Sequence, residues 1–302
     1  MDFRQLETFV EVINLKSFSK AANKLFLTQP TITSHIQNLE KEIGTQLLNR
    51  SNKNISPTDA GNILYKYAQD IINMRDTAQF KLGKYKGIIE GNLEISSSSI
   101  PKQYILPYIL KDFFSKYPNI SIDITHSNSK SVVNDIINSN IDFGIVGAKY
   151  NLNNLEYIKL IKDRLVLVTP NNKKYKNIDK IDIQTLLKEN LIIRRKGSGS
   201  RLLLEKSLNN IDLSLNDFNI VATTENNETI KKFIDLDIGI SFISELAVRE
   251  EVKKGLFKIF DIDNLNLNRN FYFVYHKNRH LSPLAETFKN FMIHRINKKN
   301  ID

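Results

Sequence analysis

The chain has 302 residues, 41% hydrophobic and 25% charged, which is typical of a soluble globular protein of about two domains. It contains no cysteine, which excludes disulfides, thiolate metal sites and cysteine nucleophiles, and its net charge of +10 suits a polyanionic partner. No apolar run approaches the roughly 20 residues that cross a bilayer, and the N-terminus does not resemble a signal peptide, so we expect a cytoplasmic protein without a membrane partner.

The N-terminal residues predict three short helices. Apolar positions recur at helical spacing over residues 3–13 and again over 18–25, where Ser17 is suited to cap the second helix. A third helix is predicted over 28–44, with Pro30 in its first turn, where a proline loses no hydrogen bond. Two helices joined by about three residues form a helix-turn-helix, in which the second helix enters the major groove of DNA.

The outward face of the third helix carries short hydroxyl and amide side chains, which can reach base edges and phosphates. A solvated face without DNA contact is the alternative. Beyond this helix, Leu47, Leu48 and Ile55 bracket a polar loop and predict a β-wing on the phosphate backbone or in the minor groove. The predicted DNA-contacting residues are Ser17, Thr28, Gln29, Pro30, Thr31, Thr33, Ser34, His35, Arg50 and Lys53.

Residues 1–61 resemble the DNA-binding domain of the LysR-type transcriptional regulators. The resemblance lies in the run FRQLETFVEVINLKSFSKAANKLFLTQPTITSHIQNLEKEIG and in TDAG at 58–61. Many members carry arginine at the position of Ser34 and another basic residue at that of Gln37. Residues 1–57 hold seven Lys or Arg and five Asp or Glu, so we expect base reading by hydrogen bonds more than by charge.

A long helix is predicted to follow over residues 58–86, and glycines at 83, 87 and 91 mark a flexible boundary at its end. Its apolar residues repeat at coiled-coil spacing and would require a partner surface, either a second copy or the chain's own N-terminal domain. The LysR resemblance implies that this helix pairs two subunits, and that dimers assemble into tetramers. The predicted seam consists of Ala60, Leu64, Tyr67, Ile71, Met74 and Ala78.

The C-terminal part alternates short apolar runs with amphipathic stretches, a βαβ rhythm that predicts a parallel sheet. The predicted strands are 93–95, 120–125, 143–146, 165–168, 191–193, 220–221, 238–243 and 271–275. The predicted helices are 104–117, 132–138, 182–188, 200–209, 227–234 and 283–296. Two α/β lobes, with chain crossings near 161–164 and 266–269, resemble the periplasmic-binding-protein-like effector domain of the same family.

The sequence therefore predicts a multidomain protein: an N-terminal all-α winged helix-turn-helix with a long linker helix, then a two-lobed α/β effector domain. The predicted domains are 1–58 (DNA-binding), 59–88 (linker and dimerisation helix) and 89–302 (effector-binding). Within the last, lobe I comprises about 91–161 and 268–302, and lobe II about 162–267.

Small ligands of open α/β sheets bind where strand ends meet helix N-termini, and free amides and hydroxyls there suit an anion. Three such segments stand out at 96–99, 197–201 and 223–226, although turns that only cap the helices would look the same. The predicted effector-binding residues are Ser97, Ser98, Ser99, Ser129, Gly147, Ser198, Gly199, Ser200, Arg201 and Thr224.

Two stretches, SSSSIPKQYILP and RRKGSGSR, resemble a subset of LysR-type regulators associated with sulfur, cysteine and selenium metabolism. In this family the position matching Ser98 commonly contacts the inducer. The resemblance implies a small anionic metabolite held between the lobes, operator DNA and a second copy as partners, and RNA polymerase as a further candidate partner.

Enzyme motifs are absent from the sequence, which has neither a P-loop nor a GxSxG elbow. His276 and His280 in HKNRH have no intervening glutamate and end a strand pattern, so they do not predict zinc. A catalytic carboxylate pair and a transport-type solute-binding protein stay open as alternatives. We expect a regulator that is not an enzyme and has no cofactor.

Overall fold

The computed structural model describes residues 1–51, 54–85, 89–138 and 140–299. The N-terminal domain packs three helices against a two-stranded antiparallel wing and the start of a long helix. These elements are α1 (Phe3–Leu15), α2 (Phe18–Leu25), α3 (Gln29–Ile43), β1 (Leu48–Ser51), β2 (Asn54–Pro57) and α4 (Asp59–Tyr85).

Side chains at the helix N-termini explain where these helices begin. Asp2 and Gln5 form a capping box on α1, Ser17 accepts a hydrogen bond from the backbone N–H of Lys20, and Thr28 accepts one from that of Thr31. Each cap satisfies a backbone donor that the helix itself leaves unpaired. The predicted cap at Ser17 is confirmed.

The core of this domain is formed by the inward apolar residues of α1, α2 and α3. Phe9, Ile32, Ile36 and Leu39 are completely buried in it. A short turn joins α2 to α3. One face of α3 packs into the core and its polar face lies on the outside of the domain, as in a helix-turn-helix. The predicted helix-turn-helix is confirmed.

The long helix α4 spans 27 residues and about 40 Å at 1.5 Å per residue. Ala60 and Leu64 pack onto the N-terminal domain together with the buried Ala68, which is the alternative that the sequence left open for this part of the predicted seam. These residues are spaced four apart on the side of α4 that contacts α1, and they cover the core of the N-terminal domain. Further along, Phe80 packs against the core of the C-terminal domain.

The C-terminal domain consists of two α/β lobes. Lobe I contains β3 (Glu90–Ser97), a π-helical turn (Pro101–Ile105), α5 (Leu106–Lys116), β4 (Asn119–His126), α6 (Ser129–Ile137), β5 (Phe143–Val146), the first part of β6 (Leu155–Pro170), β11 (Asn268–His276) and α11 (Pro283–Lys299). Lobe II contains the end of β6, α7 (Ile183–Leu186), β7 (Asn190–Arg194), α8 (Gly199–Asn209), a 3₁₀ turn (Leu215–Asp217), β8 (Asn219–Thr224), α9 (Asn227–Asp235), β9 (Ser241–Ser244), α10 (Glu245–Lys253) and β10 (Phe257–Phe260).

One mixed sheet links the lobes, in the order β10-β6-β11-β5-β3-β4, with β9 also paired to β6. The partners of β6 change from β11 to β9 between Arg164 and Leu165, and β11 begins at Asn268, so the chain crosses between lobes there. β7 and β8 form a separate parallel pair, joined to Ile240 by one bridge from Leu191.

Several predicted elements of this domain require correction. The sheet is mixed rather than parallel, because β11 runs antiparallel to both β5 and β6. The predicted strand at 165–168 is the end of the 16-residue β6, and the predicted strand at 238–243 begins only at Ser241. α10 and β10 were not predicted, and α7 is shorter than the predicted helix at 182–188.

No helix in the described ranges is long and apolar enough to cross a membrane.

Candidate functional site

The N-terminus of α3 presents a polar surface to solvent. Gln29 and Pro30 are exposed in its first turn, and Gln29 Oε1 accepts a hydrogen bond from the Ser19 hydroxyl on α2 at 2.8 Å. The hydroxyls of Thr28 and Thr31 lie 2.8 Å apart. Four predicted DNA-contacting residues thus form one continuous surface at the end of α3 that a helix-turn-helix inserts into DNA.

Further along α3, two of the predicted DNA-contacting residues form hydrogen bonds within the helix itself. The Thr33 hydroxyl donates to the backbone oxygen of Gln29 at 3.0 Å, and Ser34 accepts from the Asn38 amide at 3.5 Å. His35 differs, because its Nδ1 lies 2.9 Å from the hydroxyl of the buried Thr8 on α1. This contact connects His35 on α3 to α1, and in the described part of the chain its Nε2 makes no hydrogen bond.

Two predicted DNA-contacting residues belong to the wing. Arg50 is in β1, where its backbone pairs with Ile55 of β2, and only this backbone is described. Lys53 lies outside the described residues. Ser17 is half-buried, and its hydroxyl caps α2 by accepting from the backbone N–H of Lys20.

The two lobes meet at the N-termini of α6 and α8. The backbone N–H of Lys130 on α6 donates to the oxygen of Gly197 at 3.4 Å. A Cβ atom built on Gly199 would lie 3.1 Å from both the backbone oxygen of Gly147 and the Ser129 hydroxyl. Only glycine fits this close contact without displacing the neighbouring atoms. The N-termini of α6 and α8, with their partial positive charge, face the same space between the lobes.

A cavity of about 570 Å³ opens at this junction. Its lining contains four cationic side chains and one carboxylate, that of Glu225. Helix N-termini and an excess of cations together make the cavity suited to an anion. The cationic residues are Lys102, Arg194, Arg195 and Lys196.

Arg194 at the end of β7 is the most buried of these cations, with 7% of its surface exposed. Its guanidinium donates to Asn227 Oδ1 at 2.5 Å, to the backbone oxygen of Glu225 at 2.8 Å and to the Ser99 hydroxyl at 3.2 Å. Burial and the neighbouring Arg269 lower its pKa to about 10, so it stays cationic at neutral pH. No ion pair to Arg194 occurs within the described ranges.

Three buried donor atoms at the junction lack a hydrogen-bond acceptor in the described part of the chain: Arg194 Nε, Asn227 Nδ2 and Arg269 Nη2. Leaving a buried donor unpaired costs about 1–3 kcal/mol. Arg269 is otherwise held by Asp163 at 2.7 Å and by the Ser200 hydroxyl at 3.0 Å. An acceptor-rich, negatively charged group is the chemistry that complements these donors.

Most predicted effector-binding residues line this cavity or the narrow space adjoining it. These are Ser98, Ser99, Ser129, Gly147, Ser198, Gly199 and Ser200. Four of their five hydroxyls already have protein partners: Ser99 accepts from Arg194, Ser129 from Gly147 N–H, Ser198 from Ser200 N–H, and Ser200 from Arg269. Ser98 has no such bond among the described residues, which leaves its hydroxyl the least engaged of the set.

The structure does not bring the other three predicted residues to the cavity. Ser97 is fully buried, and its hydroxyl donates to the backbone oxygen of Ser98 at 3.1 Å. Thr224 accepts from the N–H of Asn226. Arg201 pairs with Glu205 at 2.8 Å and donates to the backbone of Arg194, because a carboxylate lies one helical turn away.

Sequence reasoning missed Arg194, Lys102 and His126 in the cavity. The His126 Nε2 lies 2.9 Å from the Ser99 hydroxyl, and burial together with the charges of Lys102 and Arg194 lowers the pKa of the imidazole. Arg194 could have been found, since it ends an apolar strand run three positions before the Gly-Ser segment. His126 carried no comparable signal.

Metal binding has no support in the described ranges, where no cluster of three or more His, Asp or Glu side chains could hold an ion. His276 and His280 lie instead at the contact between α4 and lobe I, where Asn73 donates to the backbone oxygen of His280 at 3.4 Å.

A winged helix-turn-helix, a long connecting helix and a two-lobed domain with a basic cleft define the class of DNA-binding proteins controlled by small molecules. Residues 3–62 match the family described as "Bacterial regulatory helix-turn-helix protein, lysR family", and residues 86–296 match "LysR substrate binding domain". The chain therefore belongs to the LysR family of transcriptional regulators.

Similar proteins extend over nearly the whole chain. The HTH-type transcriptional regulator CysL of Bacillus subtilis (strain 168) is 31% identical over 290 residues, which are 96% of this chain and 94% of CysL. The CcmR regulatory domain of Synechocystis PCC6803, solved in complex with 2-PG, is 25% identical with a TM-score of 0.62 over 68% of this chain and 98% of that domain. A full-length OxyR variant from Pseudomonas aeruginosa shares the fold with a TM-score of 0.71 at 16% identity, over 97% and 93% of the two chains.

Proposed function

We propose that this regulator reads operator DNA with α3 and is controlled by a small anion bound between its two lobes. The observation that carries the proposal is Arg194, a buried cation at the lobe junction with an unpaired Nε and no carboxylate partner among the described residues. Buried charges are normally paired, since an isolated one is costly to desolvate. A bound anion would supply the missing charge.

The choice of anion is guided by the resemblance to regulators of sulfur and selenium metabolism in SSSSIPKQYILP and RRKGSGSR. We therefore propose an effector that carries an oxyanion or carboxylate. The similarity to CysL is compatible with this choice. On binding, the anion would favour one arrangement of the lobes over the other, and it would shift operator binding only by that difference in affinity.

The regulator is further proposed to act as a homodimer in the cytoplasm, where its operator is accessible, with RNA polymerase as a candidate partner. Residues on one side of α4 support self-association, since Met74 is 75% exposed and Ile63, Tyr67 and Leu82 are exposed beside it. Large apolar side chains repeated along a helix favour burial against a second surface. Dimers would be free to pair into tetramers.

Calorimetric titration of the full-length protein with sulfate, thiosulfate, O-acetylserine, selenite and selenate tests the effector assignment. We expect at least one of them to bind, and Arg194→Met to weaken that binding about tenfold to a hundredfold, the effect of losing a charged hydrogen-bond donor. Footprinting of the gene's upstream DNA with and without the same anion then measures its effect on operator binding.

Arg201→Met is the matched control, because Arg201 comes from the same RRKGSGSR stretch but is paired with Glu205 outside the cavity. It should bind the anion as the unchanged protein does. The assignment fails if none of the anions binds, or if Arg194→Met, with an unchanged thermal midpoint, binds as tightly as Arg201→Met.

A further inference from the structure

The side chains of Ser19 and Gln29 connect the two helices of the helix-turn-helix at its solvent-exposed surface. Ser19 is the second residue of α2 and Gln29 the first of α3. The Ser19 hydroxyl donates to Gln29 Oε1 at 2.8 Å, and both residues are exposed. This contact lies outside the core of the N-terminal domain.

Gln29 is held differently from its neighbours on α3. Thr28 and Thr31 bond to each other, and Thr33 bonds to the backbone of its own helix. The Gln29 carbonyl is instead fixed from α2, while in the described part of the chain its Nε2 donates to no protein group. With the Ser19 hydroxyl as the donor, the two N–H donors of the Gln29 amide point away from the bond to Ser19.

We propose that Ser19 is a positioning residue for base recognition: it holds the Gln29 carbonyl so that the amide presents donors to the major groove. This inference rests on the proposed reading of DNA by α3. Guanine presents the acceptors N7 and O6 there and thymine presents O4, whereas cytosine presents the donor N4–H₂. Gln29 oriented by Ser19 therefore favours a base edge with acceptors and disfavours cytosine.

Loss of the Ser19 hydroxyl should affect specificity without unfolding the domain. Ser19 is exposed, the N-cap of α2 is Ser17, and alanine has a higher helix propensity than serine. Freed from Ser19, the Gln29 amide can rotate and offer either its oxygen or its nitrogen to the groove. Discrimination between donor and acceptor base edges would then decrease.

Selection of bound DNA from a random-sequence library, followed by sequencing, tests this with the full-length protein and needs no known operator. We expect Gln29→Ala to abolish the base preference at one position in each half-site. Ser19→Ala should lower the preference at that same position about threefold to tenfold, the effect of one hydrogen bond. Ser19→Ala combined with Gln29→Ala should match Gln29→Ala alone, since both changes remove one interaction. Ser19→Thr, which keeps the hydroxyl, should retain the preference.

Ser34→Ala provides the matched control, because it removes a serine hydroxyl on the same surface that bonds to Asn38 rather than to Gln29. Its effect should add to that of Gln29→Ala. If Ser19→Ala selects the same motif as the unchanged protein, or adds to Gln29→Ala, the positioning role of Ser19 is overturned while DNA reading by Gln29 stands. If Gln29→Ala leaves every position unchanged, the proposed reading surface and this inference both fail.

Discussion

Phe26, at the end of α2, adopts a left-handed backbone conformation with φ of 55°, and 95% of its surface is exposed. Left-handed conformations are unfavourable for most residues with a Cβ. Asparagine is an exception, because its short polar side chain can hydrogen-bond to the nearby backbone. The exposed ring has almost no packing to lose. We therefore expect Phe26→Asn to raise the free energy of unfolding by about 0.5–1 kcal/mol, measured as an increased thermal midpoint of the full-length protein.

Phe26→Leu separates the backbone effect from the removal of an exposed ring. Leucine also lacks a tolerance for positive φ, so its midpoint should remain close to that of the unchanged protein. An equal gain from leucine and asparagine would contradict the backbone explanation and assign the effect to the ring.

Two arginines of the RRKGSGSR stretch show what the sequence could predict about the effector site. The Gly-Ser turn and its serines were correctly placed at a helix N-terminus, because capping depends on residues close in sequence. The choice of Arg201 as the anion ligand was not supported, since its helical neighbour Glu205 pairs with it. Arg194 is buried by contacts to Ser99 and Asn227, which lie 95 and 33 residues away. Local patterns carry no information about such contacts.

At the scale of whole elements, the helices of the N-terminal domain followed from apolar spacing and caps, whereas the sheet of the C-terminal domain did not. The apolar run at 165–168 predicted a short strand, but β6 extends back to Leu155 through charged residues. Those residues are stabilised by pairing with β11, more than 100 residues later in the chain. Strand direction and length therefore depend on tertiary pairing that a single-strand pattern cannot specify.

The exposed side of α4 carries a prediction about assembly. Met74 and Tyr67 lie on this side, so Met74→Glu with Tyr67→Glu would place two charges in the proposed dimer surface. Burying an unpaired charge is costly, and we expect the doubly substituted protein to be monomeric. Light scattering during size-exclusion chromatography should then give the mass of one chain, 34.9 kDa, instead of at least twice that value.

Leu236→Glu serves as the comparison, since Leu236 is an equally exposed apolar residue at the end of α9 in lobe II. This variant should keep the oligomeric mass of the unchanged protein. A dimer that survives both charges on α4 would show that the subunits associate through another surface.

In the molecule as a whole, the two lobes are joined by two chain crossings and touch at a contact between two glycines. Asp163 and Arg269 form a buried ion pair beside the crossings, and Ser244 donates to the same carboxylate at 2.7 Å. Close to this pair, Gly199 of lobe II approaches Gly147 of lobe I, and a Cβ atom on Gly147 would lie 3.3 Å from Arg269 Nη1. The spacing of the lobes thus depends on the buried ion pair near the crossings and on the glycine contact beside it.

We expect Gly199→Val to hold the lobes apart, because its Cβ would already lie 3.1 Å from Gly147 and the branched methyl groups need more space. The absence of cysteine in the chain permits two spin labels to be attached without background, through Asn134→Cys on α6 and Lys206→Cys on α8. Pulsed electron-spin resonance should report a longer distance between the lobes for Gly199→Val, and anion binding should weaken by at least tenfold as the cavity opens.

Gly199→Ala provides a graded comparison on the same helix. Its single methyl group requires a displacement of only a few tenths of an ångström, so the distance between the labels should increase less than with valine. Because alanine favours a helix over glycine, any loss of anion binding in this variant reflects the lobe contact rather than unfolding of α8. Identical distance distributions for glycine, alanine and valine would contradict the contact between Gly199 and Gly147 as the element that limits closure.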